Sequence, residues 1–269
     1  MINIQPQRLG TLLVLMAALG FAGKTILTKL AYRYDIDPLT LLTLRMMMAG
    51  TFFLTILAIN VKRGFWRVSL TKKEWLIIVV LGLLGYYLSS YLDFLGLYYI
   101  DANIGRMILF LYPTLVVVIN AGLSRTKVTA STKISLFVCY LGLFLMVLPN
   151  LSRPQENFFM GVIYIFFSAL TYAIYLVAVD KFFRHKQINF FVSLILGISS
   201  ICIATHYALA RDLSTLIQPL GLYGLVFLMA SLSTIIPTYC LSQGLALIGA
   251  PRAATLSMVG PIFTLFMGV

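Results

Sequence analysis

Apolar residues run through the chain in long blocks, and the polar and charged residues gather in short gaps between them. Most blocks are about 20 residues long, the length a helix needs to cross the hydrocarbon core of a bilayer. The pattern predicts transmembrane helices over 9–31, 38–60, 75–98, 103–123, 132–149, 158–180, 188–210, 220–247 and 251–269. The gaps carry helix punctuation. Thr71-Lys72-Lys73-Glu74 has the spacing of a capping box ahead of the third span. Asp101-Ala102-Asn103 is a tight bend that places spans three and four side by side and antiparallel. Arg8 before the run from Leu9 resembles the start of a signal peptide, but no small-residue cleavage site follows, so the run reads as a retained first helix.

Composition fits this pattern. The 269 residues are 61% hydrophobic and 10% charged, which leaves too little polar surface to cover a soluble domain of this size. The net charge of +12 would suggest a nucleic-acid partner in a soluble chain. Here the cations cluster in loops, 13 on the side of the N-terminus against 4 on the other, so no nucleic acid is implied and the N-terminus is expected to be cytoplasmic. The expected partners are the lipid bilayer and a small-molecule substrate. Cys139, Cys202 and Cys240 lie singly in apolar runs, which points to neither a disulfide framework nor a metal site. No phosphate-binding or HExxH motif occurs, and no cofactor is expected.

The chain also matches itself. YLDFLGLYYIDANIGRMILFLYPTL from Tyr91 aligns without a gap on YCLSQGLALIGAPRAATLSMVGPIF from Tyr239, at an offset of 148. GTLLVLMAALGFAG from Gly10 aligns on GVIYIFFSALTYAI from Gly161, at an offset of 151. Two matches at nearly one offset indicate a repeat, with units over 1–150 and 155–269. Five helices in the first unit make the second begin on the opposite side, an inverted architecture recurrent in secondary transporters. Val269 corresponds to Ala121, so a tenth helix is expected beyond the sequence in hand.

These residues resemble the EamA-type proteins of the drug/metabolite transporter superfamily. The resemblance is carried by ALGFAGKTILTKLA, by PLTLLTLRMMMAG with Arg45, by FLGLYYIDANIGRMILFLYPTLVVV, and again by GLALIGAPRAATLSMVGPIFTLFMG. It implies two inverted five-helix repeats around a central cavity and movement of small metabolites, amino acids foremost. Family members often carry Glu-Arg after the fourth helix and Glu before the Pro of the ninth. This chain has Ser124-Arg125 and Gly260-Pro261.

Four charges interrupt the spans: Lys24, Arg45, Asp93 and Arg106. At a rise of about 1.5 Å per residue they lie about 5–10 Å from the outer helix ends, at similar depth. Charge inside a membrane is costly and marks a pair, a snorkelling side chain or a site. Asp93 and Arg106 are expected to pair across the tight bend. Arg45 is expected to anchor span two, with Pro113 and Pro261 marking helix bends. Lys24 has no near partner in sequence and is the leading ligand candidate. Tyr86 and Ser90 share a polar helical face with Asp93, and Tyr172, Tyr175, Gln243 and Ser257 are the candidates from the second half. The sequence therefore reads as an all-α polytopic carrier of small metabolites, amino acids or related organic anions, working by alternating access in a cytoplasmic membrane. The alternatives are a structural or sensory membrane protein of the same fold, or a membrane-embedded enzyme.

Overall fold

A computed structural model describes residues 5–65, 68–125, 127–147 and 157–260. Within them helices follow one another as α1 (Pro6–Tyr32), α2 (Pro38–Lys62), α3 (Lys72–Tyr99), α4 (Ala102–Ser124), α5 (Ala130–Val147), α6 (Phe158–Phe183), α7 (Ile188–Ala210), α8 (Leu220–Ile248) and α9 (Ala250–Ser257). Seven of them, α1–α4 and α6–α8, are long and apolar enough to cross a membrane. Their outer faces are apolar too: Phe159, Leu209 and Leu220 are each at least 80% exposed, which only a lipid environment makes cheap. This is a multi-pass membrane protein. Pro261 and the rest of 261–269, with Arg67 and Arg153 of the loop charges, lie outside the described residues.

Helix starts follow local chemistry. Asp37 caps α2 by accepting from the backbone N–H of Leu39 (3.1 Å) and Thr40 (3.2 Å), and Pro38 occupies the first turn where no N–H is needed. The capping box before α3 forms: the Thr71 hydroxyl accepts from Glu74 N–H, and the Glu74 carboxylate accepts from Thr71 N–H. Two helices carry a wider turn in mid-course. Gly82–Leu88 in α3 and Ser231–Ile235 in α8 are π-helical, and such turns concentrate at functional sites. Ser199 of α7 donates to the Gly82 carbonyl at 2.7 Å, occupying an acceptor at the start of the first of them. In α4 the helix is interrupted at 110–111, and Pro113 lies in the first turn of the restarted segment Tyr112–Ser124.

Two crossings draw the bundle together. α1 packs along the second half of α8, and the last part of α3 packs along α6. Each depends on a facing pair of glycines. A Cβ on Gly244 would stand 3.0 Å from the Gly10 carbonyl and 2.5 Å from Val14 Cγ2. A Cβ on Gly96 would stand 3.0 Å from the Gly161 carbonyl and 2.3 Å from Ile165 Cγ1. In lipid, helices associate through such small-residue contacts because burial of apolar surface supplies no drive. Ser89 and Ser168 add a reciprocal bridge at the second crossing, each hydroxyl donating to the other's carbonyl at 3.2 and 2.7 Å.

Candidate functional site

The crossings leave a narrow cavity of about 80 Å³ in the middle of the bundle. From the first half, α1 contributes Phe21 and Lys24, α2 contributes Arg45, and α4 contributes Arg106 and Tyr112. The π-turn of α3 contributes Gly85 and Tyr86, with Ser89 and Ser90 one turn on. From the second half come Ser168 and Tyr172 on α6, Ser233 and Thr234 on the π-turn of α8, and Ser257 on α9. A wider recess of about 830 Å³ opens at the end that carries the N-terminus, between α1, α4, α5 and α9, with Arg8, Lys127 and Arg252 on its wall.

The charges do not pair as the short bend suggests. Asp93 is engaged by Lys24, whose Nζ lies 2.7 Å from its Oδ2, and their side chains are 3% and 15% exposed. Arg106 instead turns toward α1, donating to Thr25 Oγ1 at 3.1 Å and to the Phe21 carbonyl at 3.0 Å, with its guanidinium 5.2 Å from the Phe110 ring centre. The expected Asp93–Arg106 pair is thus replaced by Asp93–Lys24, because α1 passes against both α3 and α4 and presents Lys24 to one and Thr25 to the other. Neither Lys24 nor Arg45 snorkels to the surface. Arg45 is 2% exposed, with its guanidinium 4.8 Å from the Phe94 ring centre.

Aromatic rings line one side of the cavity. Tyr112 meets Tyr172 edge-on at 5.3 Å, Tyr172 stacks on Tyr175 at 5.8 Å, and Tyr175 meets Tyr86 edge-on at 5.3 Å. The Tyr86 hydroxyl lies 3.1 Å from Thr238 Oγ1, tying α3 to α8 across the bundle. The missing side chain of Gly85 makes this possible, since a Cβ there would stand 2.4 Å from the Tyr175 ring.

The structure therefore brings together Lys24, Arg45, Tyr86, Ser90, Arg106, Tyr172 and Ser257. It separates three other candidates from the cavity wall. Asp93 lies behind Lys24, and Tyr175 is packed beneath Tyr86 and Tyr172. Gln243 is exposed: Leu241, Ser242, Gly244 and Leu245 turn the inner face of α8 inward, which points residue 243 away. Ser168, Ser233 and Thr234 escaped the sequence reading, although SLST at 231–234 is a polar break in an apolar run and was the available signal. Among the described residues no cluster of His, Cys, Asp and Glu could hold a metal.

Comparison with known proteins agrees with this outline. The model of the EamA-like transporter family matches residues 8–148 and again 159–269. The chain is 29% identical over 280 aligned residues to a Bacillus subtilis (strain 168) protein named "Uncharacterized transporter YcbK", covering 99% of this chain and 86% of that one. It is 22% identical over 204 residues to "Uncharacterized transporter YyaM" of the same organism, covering 74% of this chain and 66% of that one. A protein crystal structure superposes with a TM-score of 0.74 at 17% identity, over 96% of this chain and 86% of that one, a likeness of fold alone.

Proposed function

Because the chain belongs to the EamA-like transporter family and is a membrane transporter, we propose that it carries small anionic or zwitterionic metabolites, amino acids or related organic anions, by alternating access. One observation carries the reading of charge: three cations, Lys24, Arg45 and Arg106, share a cavity wall, and Asp93, set behind Lys24, is the one buried acid among the described residues. Uncompensated charge in a low-dielectric interior costs several kcal/mol per ion, on the order of what a bound counter-charge returns. A solute bearing a carboxylate or phosphate supplies that counter-charge, and the seryl and tyrosyl hydroxyls supply hydrogen-bond partners.

The two halves are inverted repeats with the solute between them. The two family matches support this, one to each half. So does the reciprocity of the crossings, since Gly10 meets Gly244 while Gly161, its repeat equivalent, meets Gly96, the equivalent of Gly244. The π-turns at Gly82–Leu88 and Ser231–Ile235 also fall at matching places. The N-terminus faces the cytoplasm of a bacterial cell, which puts the recess walled by Arg8, Lys127 and Arg252 on the inner side.

Counterflow into proteoliposomes tests the reading, with labelled amino acids and organic anions on one side and unlabelled solute on the other. Saturable exchange of at least one anionic or zwitterionic solute, weakened in Lys24→Ala, is expected. Exchange confined to cations, or none in folded protein, would remove the proposal.

A further inference from the structure

The three cations of the cavity are not equivalent. Lys24 is ion-paired with Asp93 at 2.7 Å. Arg106 donates two hydrogen bonds to oxygens of α1 and is held there. Arg45 has neither kind of partner among the described residues. Its Nη2 lies 3.7 Å from the Met46 sulfur, a weak acceptor, its face lies over Phe94, and its Nε has no hydrogen bond. Yet it is 2% exposed and lines the cavity beside Tyr86 and Ser90. A guanidinium offers five donors in a planar fork, and buried charged donors are expensive to leave unused. An anchoring arginine would spend them on backbone carbonyls or an acid, as Arg106 does in part.

We propose that Arg45 is the anion seat of this carrier, gripping the carboxylate of the solute, or an equivalent oxyanion such as phosphate, through its free fork, while Asp93 is taken by Lys24. Phe94 lies against the guanidinium, which is 4.8 Å from its ring centre, and Arg45 is part of the cavity wall. A carboxylate takes two parallel hydrogen bonds from the edge of a guanidinium, whereas an ammonium at the same place supplies a point charge without the fork. The inference rests on the carrier reading only in taking the cavity for the solute's site.

The test is binding to the purified full chain, read as the shift in unfolding temperature with sodium acetate, sodium glutamate or sodium phosphate against sodium chloride of equal ionic strength. The wild type and Lys73→Ala, an exposed control, should be stabilised by at least one of the three. In Arg45→Gln affinity for that probe should fall on the order of 10- to 100-fold, the loss of charge-assisted hydrogen bonds, and Arg45→Lys should fall nearly as far. The same measurement without added anion separates a seat from an anchor. Removing a buried charge that has no ion pair and no oxygen partner should leave Arg45→Gln as stable as the wild type or more so, whereas removing an anchor should destabilise it. A response to anions that survives in Arg45→Gln, or no response in the wild type, would overturn the proposal. A shift without any counterflow would keep Arg45 as the seat and sink the carrier. Counterflow undiminished in Arg45→Gln would do the reverse.

Discussion

Replacing Asp93 by Asn should harm the fold more than replacing Lys24 by Met, and the double replacement should recover most of the loss. The cavity wall and the acid behind it carry three positive charges and one negative, a net of +2. Asp93→Asn raises this to +3 and leaves three cations together without an acid. Lys24→Met lowers it to +1 and leaves Asp93 with the field of two arginines. The double variant restores +2. At 2.7 Å, and with an effective dielectric constant of about 20, the direct attraction within the pair is about 6 kcal/mol. Desolvation offsets much of it, and breaking one buried pair costs about 3–5 kcal/mol. With about 2–4 °C of Tm per kcal/mol for a chain of this size, Asp93→Asn should lose about 6–20 °C and Lys24→Met less than half of that. Thermal unfolding in detergent followed by far-UV circular dichroism reads both, and the cycle should show a coupling of about 1–3 kcal/mol. If Asp93→Asn proves no worse than Lys24→Met, or the double variant loses the sum of the two, the reasoning from cationic excess is wrong.

The glycine crossing makes a contrast within one kind of substitution. Gly96→Ala places a methyl group 2.3 Å from Ile165 Cγ1 and should cost about 1–3 kcal/mol, while Gly122→Ala, with nothing within 4 Å, should be neutral or mildly stabilising; equal unfolding temperatures for the two would discard the crossing as a close contact. Thr71→Ala removes the capping box of α3 and should cost about 1 kcal/mol of stability without changing the half-saturation concentration in counterflow, so a shift in that concentration would show that this helix end takes part in transport.

The candidate site was legible in type and only partly in arrangement. Lys24, Arg45 and Arg106 stood out because charge is rare in apolar runs, and the cavity does collect them. Their partners were not legible. Asp93 and Arg106 are 13 residues apart and lie on neighbouring helices, so proximity in sequence favoured their pairing. Lys24 is 69 residues from Asp93 and reaches it only through the packing of α1. Ser233 and Thr234 were missed for a related reason. They lie within the π-turn Ser231–Ile235, whose wider winding departs from the ordinary helical period by which a face is drawn along a sequence.

The order of residues was enough for the membrane class, for the helix starts at Asp37–Pro38 and Thr71–Glu74, and for the internal likeness that places Gly96 opposite Gly244 in an alignment. Hydropathy and capping act over one residue or one turn, and both can be read along a line. Packing alone decided that Gly10 lies on Gly244, that Lys24 rather than Arg106 takes Asp93, that Gln243 faces outward, and that Arg45 is buried without an oxygen partner among the described residues. Those outcomes depend on the rotation and depth of each helix against its neighbours. Side-chain pairing changes over an ångström or two, a scale that the order of residues does not carry.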